Sequence, residues 1–132
     1  MLNRETAIEK IRERLKTQTM NEECAFIVLD IDNFKNINDT FGHLYGDAVI
    51  AMVAGSIKST LDSEDIIGRF GGDEFLAYID NTKPEKLERK LENIRLAILK
   101  MRIDKNDEKD ISCSMGVTLG RGRVKYEGIC FL

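Results

Sequence analysis

The sequence predicts an α/β fold (an α+β sandwich), in which helices flank one central mixed β-sheet, and three observations support this prediction. Apolar residues recur at helical spacing in several segments. Residues 24–29 are apolar throughout, as in a short strand buried on both faces. Two glycines, Gly71 and Gly72, separate two strand-like runs. The length of 132 residues suits one compact domain, so we expect a single domain over residues 1–132.

The first half of the chain predicts a helix, a strand and two further helices. Apolar positions between charged faces indicate an amphipathic helix over residues 5–15. The apolar run at residues 24–29 is expected to be the central strand. A helical pattern over residues 33–41 stops at Gly42, because glycine tolerates the positive φ that often ends a helix. The next helix is expected from about residue 46 to residue 61.

A β-hairpin follows, with strands at residues 66–70 and 75–79. Gly71 and Gly72 stand at its tip, where they are expected to supply the positive φ angles of a tight turn. A ligand could also lie directly against their backbone, since neither residue has a Cβ.

The last elements are a long helix and a strand. Proline at position 84 and apolar residues at helical spacing indicate a helix over residues 84–101. Residues 104–110 are polar and are expected to form its exit loop. Residues 111–119 alternate as a strand does, and residues 120–132 show no usable periodicity.

Composition excludes several classes of function. The net charge of -3 provides no basic surface for a nucleic-acid polymer. The longest apolar runs, residues 24–29 and 48–54, are shorter than the roughly 18 residues of a membrane-spanning helix, so no membrane insertion is expected. Cys24, Cys113 and Cys130 are widely spaced and odd in number, which favours a reducing cytoplasm and structural roles.

Acidic residues close two of the predicted strands. Asp30 and Asp32 follow the central strand, and Asp73 with Glu74 stands at the hairpin tip. Either pair alone is more often a solvated turn. If the two strands are neighbours, the carboxylates converge at one edge of the sheet and offer the hard oxygen ligands that Mg²⁺ prefers.

Two blocks of sequence resemble the GGDEF domain family. Residues 69–75 read RFGGDEF, and residues 30–47 read DIDNFKNINDTFGHLYGD, which matches the family pattern DxDxFKxxND followed by FGHxxGD. The resemblance implies a nucleotidyl-cyclase, palm-like fold. It also implies a diguanylate cyclase, a bacterial signalling enzyme that condenses two GTP molecules into cyclic di-GMP. Since each domain holds one GTP, a homodimer of domains is needed for catalysis.

The resemblance also implies a catalytic and metal set. Asp30, Asp73 and the backbone carbonyl of Ile31 would ligate Mg²⁺ (or Mn²⁺), with Glu74 beside the metal. Asp73 would be the base for the 3′-hydroxyl, so Asp73 and Glu74 form the implied catalytic pair.

The resemblance further implies a set of residues that binds the substrate. Asn38 and Asp47 would read the guanine edge and select GTP over ATP. His43 would lie at the nucleotide pocket, although a packing or capping role fits this single histidine equally well. The backbone at Phe34 and Lys35 would hold phosphate at a helix N-terminus. The full implied substrate set is Phe34, Lys35, Asn38, His43, Asp47, Gly71 and Gly72.

One departure from the family concerns its inhibitory product site, an RxxD motif before the glycine pair. Asp62 stands in place of the arginine, whereas Asp65 is retained. A carboxylate repels the anionic product, so we expect this site to be degenerate and feedback inhibition to be lost.

Other departures concern the ends of the chain. Only the last part of the family's opening DxLTGLxNR stretch is present, as Leu2-Asn3-Arg4, and the basic helix that grips the triphosphate is not found after residue 119. The clear resemblance therefore covers about residues 2–119, a core truncated at both ends. Arg121, Arg123 and Lys125 could imitate the missing cations, but a solvated tail is the simpler interpretation.

These observations leave two functions and one inactive state. The chain is an active cyclase, or it is a module that binds GTP or a partner with little or no turnover, or it is a truncated fold that does nothing by itself. The intact metal and guanine residues favour the enzyme lineage. The missing cationic helix predicts that this chain alone is a poor catalyst.

Overall fold

A computed structural model of the chain describes residues 1–17, 23–101 and 111–121, and the expected exit loop and the tail from residue 122 lie outside these ranges. The elements follow the predicted order. The helices are α1 (Arg4–Thr17), α2 (Phe34–Phe41), α3 (His43–Thr60) and α4 (Pro84–Leu99). The strands are β1 (Glu23–Ile31), β2 (Ile66–Arg69), β3 (Glu74–Ile79) and β4 (Cys113–Arg121).

The strands form one sheet in the order β2-β3-β1-β4, and every neighbouring pair runs antiparallel. A parallel bridge between Leu2 and Gly68 adds the start of the chain to the β2 edge, so the sheet is mixed. The apolar run at residues 24–29 lies inside β1, between β3 and β4, which confirms the predicted central strand.

Side chains of the sheet alternate between two hydrophobic clusters, because successive strand residues point to opposite faces. On one face, Ala25, Ile27 and Leu29 of β1 pack with buried residues of α3 and α4. On the other face, Cys24 and Phe26 pack with buried residues of α1. Among the described residues, α3 and α4 therefore cover one face of the sheet, and α1 is the only helix on the other.

Gly42 separates α2 from α3 and caps both helices. Its φ of +89° confirms the predicted positive φ, and its N–H donates to the Asn38 carbonyl at 2.8 Å. The third helix begins at His43, three residues before the predicted start, because the chain re-enters a helix directly after this one residue. The last strand also differs from the prediction, since it begins at Cys113 and continues to Arg121.

The prediction of positive φ at the hairpin tip was wrong. Gly42 is the only glycine with positive φ within the described ranges, so Gly71 and Gly72 turn without the left-handed region. The turn is instead closed by the N–H groups of Phe70 and Gly71, which donate to the Glu74 carbonyl at 2.8 and 3.4 Å.

Among the described residues, no helix combines the length and the apolar content that crossing a bilayer requires. The two cysteines within these ranges are free thiols, Cys24 buried and Cys113 half-buried.

Candidate active site

Pairing of β1 with β3 brings the two acidic clusters together at one end of the sheet. Asp30 lies directly opposite Glu74 in the antiparallel register. The N–H of Ile31 donates to the carbonyl of Asp73 at 3.2 Å, which extends the ladder to the hairpin tip. The strand order expected from the sequence therefore brings the backbones of Asp30, Ile31, Asp73 and Glu74 to one end of the sheet.

The electrostatics of this end are those of uncompensated negative charge. Burial raises the pKa of the Asp30 carboxyl, and the nearby charges of Asp73 and Asp32 raise it further. None of the ion pairs found in the described part of the chain involves Asp30, Asp73 or Glu74. Carboxylates that are held close together repel one another, and a bound cation relieves this repulsion, so the arrangement favours cation binding.

The donor set fits a hard divalent cation that arrives with phosphate. Within residues 1–17, 23–101 and 111–121, no three acidic, histidine or cysteine side chains converge on one metal position. Mg²⁺ is usually held by one or two carboxylates together with substrate phosphates, rather than by a complete protein cage. Two carboxylates and one backbone carbonyl match that mode.

The hairpin tip beside these carboxylates is held by Arg69. Its guanidinium donates from Nε to the Gly71 carbonyl at 3.1 Å and from Nη2 to the Gly72 carbonyl at 2.8 Å. A Cβ at Gly71 would stand 3.2 Å from Oε2 of Glu74, whereas a Cβ at Gly72 would meet open space. Glycine at position 71 therefore leaves room for the Glu74 carboxylate to fold over the turn.

An open cleft of about 760 Å³ lies between α3, the hairpin and the start of the chain. Asp47 and Gly71 are the members of the predicted substrate set that line it. The sequence did not identify the other lining residues, which are Met1, Leu2, Asn3, Ile50, Ala51, Ala54, Arg69, Phe70 and Phe75. The spacing 47, 50, 51 and 54 is one helical face, which could have revealed the α3 wall from the sequence.

Asn38 packs against α3 one residue before the cleft-lining Asp47, and it carries an unpaired acceptor. Its Oδ1 is buried and has no hydrogen-bond partner among the described residues. It sits directly over the backbone of Gly46, where an added Cβ would stand 1.7 Å from Oδ1 and 3.3 Å from Cζ of Phe34. Asp47, which lines the cleft, follows Gly46, so the absence of a side chain at position 46 lets Asn38 pack against α3 one residue before Asp47.

The structure does not bring the remaining predicted residues into the cleft. His43 is exposed as the first residue of α3, and Lys35 is exposed in the first turn of α2. Gly72 is exposed at the hairpin tip. Phe34 begins α2 and is half-buried, directly after Asn33 in the left-handed conformation (φ 57°).

The predicted degenerate inhibitory site is filled by an internal cation. The ammonium of Lys90 in α4 pairs with Oδ2 of Asp65, and with Oδ2 of Asp62 at 3.0 Å. The Asp65 carboxylate also accepts from the N–H of Asp62 at 2.9 Å and of Asp80 at 3.3 Å. Burial alone would lower the pKa of Lys90, but its hydrogen bonds to Asp65 and Asp62 raise it above 10.5.

Comparison with known proteins gives one consistent result. The family model described as "Diguanylate cyclase, GGDEF domain" matches residues 1–127, which extends past the clear resemblance at residue 119. The diguanylate cyclase DgcP of Pseudomonas aeruginosa is 42% identical over 103 residues, which are 77% of this chain and 15% of that protein. The probable diguanylate cyclase DgcC of Escherichia coli is 34% identical over 97 residues, 74% of this chain and 26% of that protein.

Solved structures show the same fold. The diguanylate cyclase SiaD of Pseudomonas aeruginosa, crystallised with its activator SiaC, superimposes with a TM-score of 0.85 at 32% identity. The match covers 95% of this chain and 49% of that chain. The expected α/β palm-like class is therefore confirmed, and the chain spans only a minor part of the curated relatives it matches.

Proposed function

Because the chain belongs to the GGDEF domain family, we propose that it is the catalytic domain of a diguanylate cyclase, which binds GTP with Mg²⁺ (or Mn²⁺) and joins two GTP molecules into cyclic di-GMP. The residues that carry this role lie in one domain, at the end of the sheet formed by β1 and the hairpin and in the adjoining cleft.

The unpaired Oδ1 of Asn38 is the observation that supports this proposal best. A buried acceptor without a partner costs about 1 to 3 kcal/mol, so its retention points to a ligand that supplies the missing donor. The guanine edge carries a ring N–H and an exocyclic amine, and the carboxylate of Asp47, which lines the cleft, offers a second acceptor. Adenine has no donor at the ring position, so this pair favours GTP.

The carboxylates at the sheet end carry the proposed chemistry. Asp30, Asp73 and the Ile31 carbonyl hold the divalent ion, which when bound polarises the phosphate and lowers the pKa of the attacking hydroxyl. Asp73 accepts the 3′-hydroxyl proton at the hairpin tip. Glu74 lies opposite Asp30 and adds a further oxygen at the same end.

Ring closure needs two copies of the domain. Each cleft holds one GTP, whose 3′-hydroxyl attacks the α-phosphate of the GTP in the other copy, and pyrophosphate leaves. Repeating the attack in the opposite direction closes the ring. We therefore expect activity to rise more steeply than linearly with protein concentration when the protein is dilute.

A module that holds GTP with little turnover is the second candidate, and one observation favours it. Arg69 is the only cationic side chain among the described residues that line the cleft, and it is engaged with the carbonyls of Gly71 and Gly72. From the described residues alone, a triphosphate in this cleft would therefore receive most of its neutralisation from the metal.

Incubation with GTP and Mg²⁺, followed by chromatography, distinguishes the two. Accumulation of cyclic di-GMP, abolished by chelation, supports the cyclase. GTP binding without product would support the holding module. Binding of ATP as tight as that of GTP would remove the guanine assignment of Asn38 and Asp47.

A further inference from the structure

Asp32 is the second aspartate of the acidic pair that closes β1, and its contacts differ from those of Asp30. Its Oδ2 accepts a hydrogen bond from the Ser112 hydroxyl at 2.7 Å, and its Oδ1 accepts one from the Ser114 hydroxyl at 2.6 Å. Its N–H donates to the Ser112 carbonyl at 2.9 Å. Three hydrogen bonds thus tie this residue to the start of β4.

Ser114 lies directly opposite Asp30 in the pairing of β1 with β4. Directly paired residues project from the same face of a sheet, with Cβ atoms about 4.5 to 5.5 Å apart. The Ser114 hydroxyl is therefore within range to turn towards Asp30, yet it donates to Asp32. No side-chain hydrogen bond to the Asp30 carboxylate is found within the described residues, so its oxygens remain available.

We propose that Asp32 is a positioning residue for the metal site. It accepts hydrogen bonds from the hydroxyls of Ser112 and Ser114. These bonds fix the start of β4 to the end of β1 and keep the Ser114 hydroxyl from donating to the Asp30 carboxylate. This inference rests on the proposed function, because the cation in question is the one that enters with GTP. Hydrogen bonding to the two serines is the larger contribution of Asp32, and its negative charge near Asp30 is the smaller one.

Two substitutions separate hydrogen bonding from charge. Asp32→Asn removes the charge but keeps an oxygen acceptor for one serine and an N–H donor for the hydroxyl oxygen of the other. Asp32→Ala removes both contacts and frees Ser114 to turn towards Asp30. If Asp32 were itself a metal ligand, the asparagine variant would lose binding as the alanine variant does.

The first measurement is calorimetry of Mg²⁺–GTP binding to the full chain. We expect Asp32→Ala to weaken binding about 10- to 100-fold, the usual effect of losing a residue that orients a metal ligand. Asp32→Asn should remain within about threefold of wild type, because its hydrogen-bond capacity towards the serines is kept. Adding Ser114→Ala to Asp32→Ala should restore much of the affinity, since the competing hydroxyl is gone.

The second measurement needs no nucleotide. Hydrogen exchange at the amide of residue 32 reports its bond to the Ser112 carbonyl, and we expect faster exchange in Asp32→Ala than in Asp32→Asn. Equal loss of binding in both variants, or a double variant as weak as Asp32→Ala, would overturn the positioning role. If wild type shows no metal-dependent GTP binding, the proposed function fails, and unchanged exchange in Asp32→Ala would then overturn this inference separately.

Discussion

Replacing Gly46 by alanine is the sharpest test of the guanine site, because the added methyl group enters the space of one side-chain atom. Its Cβ would stand 1.7 Å from Oδ1 and 2.8 Å from Cγ of Asn38, where ordinary contacts begin at 3.4 Å. Asn38 must therefore rotate away. Since the displaced atoms are the far end of a flexible side chain, we expect the backbone to stay in place.

The expected cost falls on binding rather than on folding. Alanine is favoured over glycine in a helix by about 1 kcal/mol, which offsets the displacement of Asn38. A guanine donor left without its acceptor costs about 1 to 3 kcal/mol, or roughly 5- to 150-fold in Kd. The preference for GTP over ATP should fall by the same factor.

Gly55→Ala is the matched control, because Gly55 lies in the same helix and an added Cβ there meets nothing within 4 Å. Calorimetry with GTP and with ATP, together with thermal melting, should show weaker GTP binding only for the position 46 variant, and a higher Tm for the control. Unchanged GTP affinity and selectivity in Gly46→Ala would refute the role of Asn38.

Four further predictions concern the carboxylates. Lys90→Met should lower the free energy of unfolding by about 3 kcal/mol or more, because it leaves the Asp65 carboxylate, whose side chain is 2% exposed, buried without its cation. The control is Lys86→Met, at a side chain 59% exposed, which should change the free energy of unfolding by less than about 0.5 kcal/mol. Lys90 lowers the pKa of Asp62 from 3.8, so stability from that pair is present above pH 3.8 and is lost as the pH falls below it. The difference in Tm between wild type and Lys90→Met should therefore narrow in acid. Asp73→Asn should abolish cyclic di-GMP synthesis with little change in Tm, since the side chain stands at a hairpin tip. Added product should leave initial rates unchanged, since Asp65 is engaged by Lys90.

Each of these has a contrary outcome. A Tm of Lys90→Met equal to that of Lys86→Met would show that the buried ion pair adds no stability. A difference in Tm between wild type and Lys90→Met that stays constant at low pH would show that Asp62 does not contribute to the stability of this pair. Substantial turnover by Asp73→Asn would show that another group accepts the proton of the 3′-hydroxyl. Product inhibition relieved by a change at Asp65 would show that the site works without its arginine.

Local patterns predicted the elements because each has a strong signal of its own. The apolar run of β1 and the proline that opens α4 fixed their type and approximate bounds. The turn at Gly71 and Gly72 was misjudged because a glycine pair suggests positive φ, whereas the hydrogen bonds to the Glu74 carbonyl close the turn without it. These bonds join residues only three and four positions apart, and the residue types of the turn do not by themselves specify that backbone arrangement.

The candidate site was predicted in part for a similar reason. The convergence of Asp30 and Asp73 follows from strand order, and motifs identified both residues. Family resemblance assigned Asp30 to the metal, but the role of Asp32 could not be predicted, because it depends on Ser112 and Ser114, about 80 residues away. The buried ion pair of Lys90 could not be predicted, because a lysine on an amphipathic helix is usually solvated.

The two faces of the sheet are covered unequally, and this has a consequence for the dynamics of the cleft. In the part of the chain that the structure describes, α3 and α4 cover one face, whereas the other is covered by α1, through Ala7, Ile11 and Leu15. Segments with fewer buried contacts open at a lower free energy than the whole molecule. Since the residues just before α1 line the cleft, undocking of this helix would remove one wall of it. A nucleotide that needs that wall therefore binds only the docked form, and its binding free energy adds directly to the stability of α1.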